Sequence, residues 1–275
     1  MHWILQLGLE AGHAEEAIIQ ALQELELPHS CVNVVPFSHE LNPDPGEPEG
    51  KVVVYGGTVL RRIAQSRSWS PGYYWNDANF DFRAWKTHWG EHLLNADSVV
   101  AHLEDVDEID EHIFIRPTTS DKVFTGGVFS WDEFVVWRDG ILSGRADQDS
   151  ADARADTLVA YAPAKYIDQE CRFFVADSKI AAASFYRLSA WEQFSSVHTR
   201  VPFYGTPWYD PTMEQFVLGR IAEWQPHKAF VMDIARVDDS YKIIEINAYN
   251  SSGIYECDPK RIISAVEEME NEIEV

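Results

Sequence analysis

Apolar positions along the first third of the chain recur in short blocks that alternate between strand and helix spacing. Trp3 to Leu7 predicts a strand ending at Gly8. In the following block, Ala14 to Leu25, Ala17, Ile18, Ala21, Leu22 and Leu25 return at helical spacing. Cys31 to Phe37 is β-rich and gives way to the turn sequence Asn42-Pro43-Asp44-Pro45-Gly46. Lys51 to Tyr55 runs into Gly56-Gly57 and then a helix from Thr58 to Ser66, a βα unit that predicts a mainly parallel sheet. The aromatic stretch Trp69 to Trp89 has no clear period, and one helix is placed near Phe82 to Leu94.

Six acids crowd Glu104 to Glu111, which reads as a solvated connection rather than a metal site, because nothing fixes their geometry. Beyond it the pattern changes to longer strands joined by turns: Ile113 to Arg116, Phe134 to Val136, Leu158 to Tyr161, Cys171 to Val175, Lys179 to Tyr186, Ala229 to Ala235 and Lys242 to Ile246. Asp210-Pro211 opens a helix with Asp as cap and Pro in the first turn, and Met213, Phe216, Val217, Ile221 and Trp224 form its apolar stripe. A last helix covers Pro259 to Met269. The change of pattern divides the chain into an α/β domain at 1–105 and an α+β domain at 106–275.

With 275 residues, 45% of them apolar and 24% charged, the chain has ample material for a packed core and is not of disordered composition. Lys and Arg number 22 against 45 Asp and Glu, a net charge of −23 that opposes bulk binding to nucleic acid or anionic lipid. A local basic patch such as Arg61, Arg62, Arg67 is the exception that composition leaves open. No apolar run approaches the roughly 20 residues of a membrane helix, and Met1-His2-Trp3-Ile4-Leu5 lacks the basic and long apolar regions of a signal peptide. Cys31, Cys171 and Cys257 are odd in number and widely spaced, as expected of reduced thiols in a cytoplasmic protein.

Three constellations carry chemistry. Phe230 to Ala235 and Lys242 to Asn247 are apolar strands around a tight polar turn, and on the second strand Glu245 and Asn247 point to one face. Asp233 on the partner strand can join them, and two carboxylates with an amide oxygen are hard ligands of the kind Mg²⁺ takes. Alternation alone also fits a solvated outer face. Asn247-Ala248-Tyr249-Asn250-Ser251-Ser252-Gly253 follows, a polar loop able to receive an anionic group or simply to turn. Secondly, Ile113 to Arg116 delivers a cation from a strand, and Thr118 to Gly127 carries Lys122 in a hydroxyl- and glycine-rich segment suited to close over a polyphosphate. The Walker pattern is absent. Thirdly, Glu170 and Arg172 share a face of a hairpin that turns at Asp177-Ser178 and returns to Arg187. Either they form a salt bridge, or the arginines meet charge developing on a transferring phosphoryl group.

In this order, the three constellations resemble the ATP-grasp superfamily of ATP-dependent ligases over roughly the last 160–170 residues. Leu158 through Glu170-Cys171-Arg172 to Arg187, with Asp233 through Glu245-Ile246-Asn247, is similar to the glutamate-adding RimK-type branch. Phe114-Ile115-Arg116-Pro117 and the tail Glu245 to Gly253 look more like a bacterial and phage branch. The resemblance implies an ATP-grasp fold, two α+β lobes gripping ATP, preceded by a small α/β domain. It implies that Asp233, Glu245 and Asn247 hold Mg²⁺ and that Arg116 stands where the family has a phosphate-binding lysine. Leu158 to Pro163, with Tyr161 and Ala162, would be the adenine hinge, and Glu170 would accept from the ribose. Arg172 and Arg187 would face the γ-phosphate and the acceptor carboxylate, and Lys86 stands nearest the family's other lysine. The activity implied is carboxylate–amine ligation through an acyl phosphate, on small-molecule or peptide substrates. A kinase on the same fold and a non-catalytic ATP-binding module are the competing readings.

Overall fold

The computed structural model describes residues 1–8, 14–36, 38–119, 123–145, 150–188 and 210–272, with backbone alone at 187 and 188. The first strands are β1 (His2–Gln6), β2 (His29–Val34), β3 (Leu41–Asn42), β4 (Val52–Tyr55) and β5 (Pro71–Gly72). They form a sheet in the order β3-β2-β1-β4-β5, parallel except at β3. Helix α1 (Ala14–Glu24) packs on one face and α2 (Thr58–Ser66) on the other, because successive strand residues face opposite ways: Trp3 and Leu5 meet Ile18 and Leu22, while Ile4 and Val54 meet Leu60 and Ile63. Helix α3 (Phe82–Trp89) is capped by Asp81, whose side chain accepts from Arg83 N, and stops short of the expected Leu94 because Gly90 turns left-handed at φ 48°.

A second sheet runs β6-β9-β7-β8, antiparallel throughout, from β6 (Val99–His102), β7 (His112–Pro117), β8 (Gly127–Ser130) and β9 (Leu158–Pro163). Its first strand precedes the acidic stretch. Helix α4 (Trp131–Leu142) covers it and corrects the expected strand at Phe134 to Val136. Ser130 and Glu133 close a reciprocal capping box that starts a helix, and Phe134 and Ile141 then fall on its buried side.

The third sheet, β11-β10-β12-β13, is an antiparallel unit of β10 (Gln169–Ala176), β11 (Lys179–Leu188), β12 (Ala229–Val237) and β13 (Ser240–Asn247). Helix α5 (Pro211–Glu223) begins at the Asp210 cap and buries Met213, Val217 and Ile221 with α3 against Phe173, Phe230 and Met232. On the opposite face Phe174 and Val231 share one core with Trp3, Leu5 and the last helix, α6 (Pro259–Asn271). The N-terminal sheet therefore does not close its core by itself. Among the described residues no helix is long and apolar enough to cross a membrane.

Candidate functional site

The face of the third sheet that is apolar at Phe174 and Val231 becomes charged farther along. Arg172 on β10 stands opposite Asp233 on β12, and Asp233 stands opposite Glu245 on β13. Opposed residues of antiparallel strands project to the same side, so strand register alone gathers the three. Register irregularities flank the group, one beyond the Asp233–Glu245 pair and one between Glu170 and Cys171 that leaves Tyr186 without a rung. Such bulges re-aim side chains beside sites.

Asp233 is fully buried, and both its oxygens are taken by one guanidinium: Arg172 Nε donates to Oδ1 at 2.8 Å and Nη2 to Oδ2 at 2.7 Å. Arg172 Nη1 donates to the Gly253 carbonyl at 3.1 Å. Asn247 Nδ2 bridges the two carboxylates, 3.2 Å from Asp233 Oδ2 and 2.9 Å from Glu245 Oε1. Glu245 is the reachable carboxylate, with 34% of its side chain exposed. Complete burial pushes Asp233 up to about 6, against the pull of Arg172 and with a further push from Glu245. Burial also opposes the charge on Glu245, but Arg116 and the Asn247 amide outweigh it and hold Glu245 below the usual carboxylate range. The pair thus has one member that ionises readily and one that keeps its proton to higher pH.

Arg116 reaches this cluster from the other lobe. It projects from β7, its Nη1 lies 3.5 Å from Glu245 Oε2, and its Nε donates to the Pro117 carbonyl at 3.2 Å. Its guanidinium carbon sits 4.7 Å from the Trp85 ring centroid, a cation–π contact with a fully buried indole on α3. Gly126 passes so close that a Cβ there would lie 2.9 Å from Arg116 Cβ, which explains a glycine in the segment that borders the arginine. That segment is anchored at both described ends: Thr118 N donates to Leu158 O at 3.0 Å, and Phe124 is buried against Trp137. The expected phosphate-covering stretch is therefore narrower than Thr118 to Gly127, and Lys122 lies outside the described residues.

The sequence reading needs correcting at three residues. Arg172 is expected to meet a phosphoryl group, but all three of its nitrogens have acceptors within the protein. Tyr161 lies on a central strand between Val99 and Ile115, with its ring in the lobe core and its hydroxyl accepting from Asp107 N at 3.4 Å. Lys86 donates to the Ser98 carbonyl at 2.7 Å, a structural tie. Ala162 is placed better, paired with Phe114 one rung past the end of β6 where the chain leaves the sheet. Glu170 is buried on the Arg172 side of β10. The backbone of Arg187 stands opposite Glu170, and its side chain lies outside the described part.

Sequence reasoning passes over two further groups. Trp85 is hidden within the aromatic stretch. Tyr186 and Tyr255 stack at 4.7 Å and 9°, with the Arg172 guanidinium 5.5 and 4.9 Å from their centroids. The one local signal is that Tyr186 precedes an arginine on a strand.

The donor chemistry fits Mg²⁺: two carboxylates and an amide side chain form one hydrogen-bonded group, with two guanidiniums to balance their charge. Among the described residues no three His, Cys, Asp or Glu side chains gather at one point, so the amide is an integral member of the set.

The sequence profile of an ATP-grasp domain family, the third family of its clade, matches residues 54–266. No curated protein matches the chain. Among solved structures, a RimK domain ATP-grasp protein from Sphaerobacter thermophilus is 13% identical with a TM-score of 0.56, covering 96% of this chain and 99% of that one. The D-alanine–D-alanine ligase of Bacillus anthracis, complexed with ATP, is 13% identical with a TM-score of 0.57, over 98% and 97% of the two chains. The D-cycloserine synthetase DcsG is 10% identical with a TM-score of 0.60, over 98% and 99%. At these identities the likeness is one of fold.

Proposed function

The chain belongs to the ATP-grasp superfamily, in the clade whose profile it matches, and from that premise we propose that it is an ATP- and Mg²⁺-dependent ligase joining a carboxylate to an amine. The observation that carries this reading is the contact of Arg116 on one lobe with Glu245 on the other, beside the Asp233–Arg172 pair. It sets cations and hard oxygen donors on both walls of one cleft, as binding a polyphosphate with its metal requires. Asp233, Glu245 and Asn247 would hold Mg²⁺, which when bound supplies charge neutralisation at the phosphates. Arg116, held flat by Trp85, presents a fixed fork to phosphate oxygens. Arg172 fixes Asp233 and is a positioning residue. Ala162 and the chain leaving the sheet after it would meet adenine, Glu170 the ribose, Lys122 the phosphates, and Arg187 the acceptor carboxylate.

In the reaction a carboxylate oxygen attacks the γ-phosphorus and the bond to the ADP oxygen breaks. The amine nitrogen then attacks the acyl carbon, phosphate leaves and the nitrogen gives up a proton. The protein contributes position and electrostatics. A chain of net charge −23 can do this because the cleft carries its own arginines. The test is hydroxylamine trapping with ATP, Mg²⁺ and a panel of amino acids and small acids. Hydroxamate that disappears in Glu245→Gln and Arg187→Ala is expected. A stable phosphate ester formed without any amine would make the protein a kinase.

A further inference from the structure

In the N-terminal sheet, β1 continues through α1 to β2 on one side and β4 continues through α2 to β5 on the other, so the strand order reverses between β1 and β4. The crevice at the carboxyl ends of strands at such a switch point is where open α/β sheets take ligands. Here the protein fills it with its own chain. Asn250 is 1% exposed; its Oδ1 accepts from Tyr74 N at 2.8 Å and its Nδ2 donates to Val54 O at 2.7 Å. Its main-chain oxygen accepts from Gly56 N at 2.7 Å. The Tyr55 hydroxyl donates to Ser252 O at 2.5 Å, and the Tyr73 hydroxyl to Ser251 Oγ at 2.9 Å. These bonds all land between Asn247, which bridges the two carboxylates, and Gly253, whose carbonyl holds Arg172.

We infer that the N-terminal sheet is the positioning element of the candidate site: its switch-point crevice takes Asn250 to Ser252 as an internal ligand and thereby fixes Asn247 and Gly253. Asn250 is the positioning residue. The loop is a short 3-10 turn, Tyr249–Ser251, with no sheet partner of its own, so its conformation comes from what it docks against. Removing the Asn250 amide leaves Tyr74 N and Val54 O buried without partners, a cost that favours undocking. The consequence for metal binding rests on the ligase reading above. The consequence for the loop does not.

The experiment compares the intact chain with Asn250→Ala and with Tyr55→Phe, which keeps the ring and removes one bond at the rim. Hydrogen exchange is measured first without nucleotide. Amides of residues 248–253 should exchange about tenfold faster in Asn250→Ala and by a smaller factor in Tyr55→Phe, with β12 unchanged. Calorimetry with ADP follows, with and without Mg²⁺. The gain in ADP affinity that Mg²⁺ brings should fall by about tenfold in Asn250→Ala, while metal-free affinity stays as in the parent. Unchanged exchange in both variants overturns the inference, as does a loosened loop with an undiminished Mg²⁺ gain. If Asn250→Ala does not fold, Tyr55→Phe decides the question by the same two measurements. Should the parent protein show no Mg²⁺-dependent ADP binding, the ligase reading fails, and hydrogen exchange then judges the docking claim by itself.

Discussion

Arg172 holds both oxygens of Asp233 from the neighbouring strand, at 2.8 and 2.7 Å, in a pair that is almost wholly enclosed. Taking two charges out of water is costly, and the fork repays that cost only while both partners are present. Arg172→Ala should therefore destabilise the fold by about 3–5 kcal/mol, because it strands a buried carboxylate. Arg172→Met with Asp233→Leu should cost less than the sum of the two single changes. Urea denaturation of the four proteins measures the coupling, and additive losses would show that the pair is not a unit.

Trp85 and Arg116 support a milder prediction. Trp85→Phe keeps an aromatic face under the guanidinium but weakens its attraction, so ADP affinity in the presence of Mg²⁺ should fall about three- to tenfold. The comparison variant is Phe134→Leu, which removes an aromatic from the core of the second sheet away from Arg116. It should lower the melting temperature and leave ADP affinity alone. Equal loss of affinity in both variants would mean that packing, not the cation–π contact, is responsible.

Asp233 introduces a pH dependence. Its folded value of about 6 lies above that of an unfolded aspartate, so the folded state binds the extra proton and this group's contribution to stability is lost as pH rises from about 4 through 6. A metal requires the ionised form, and so the two demands oppose each other. Mg²⁺-dependent ADP affinity should be flat above pH 7 and decline by up to about tenfold per unit below 6, as the bound proton must leave. Glu245, held low by Arg116 despite its burial, should not add a second step in that range. Calorimetry in buffers of different ionisation enthalpy would count the proton released.

The capping box at α4 is testable apart from the site. Ser130→Ala removes the acceptor for Glu133 N and should cost about 1 kcal/mol, visible as a lower denaturation midpoint with nucleotide affinity unchanged.

The sequence and the structure part company in instructive places. The β12–β13 hairpin is legible in its apolar strands and tight turn, and period-two alternation is enough to put Glu245 and Asn247 together. Asp233 joins them through a register that a short hairpin nearly dictates. The fork from Arg172 is not legible, because it depends on β10 lying beside β12, a pairing of strands about sixty residues apart with no local signal. At α4 the β-branched run around Phe134 suggests a strand, although Ser130 and Glu133 already spell a helix start. Trp85 is indistinguishable from its aromatic neighbours until β7 brings Arg116 over it.

The core shared by β1, α1 and α6 has a consequence for synthesis. Trp3 Nε1 donates to Glu267 at 2.7 Å across a separation of 264 residues, and the amino group of Met1 meets the same carboxylate. The ribosome delivers β1 long before α6, so the first sheet emerges with Trp3, Leu5 and the α1 stripe uncovered until nearly the whole chain is out. A nascent chain paused before α6 should recruit holding chaperones through that face, and the last helix would then act as the latch that releases them.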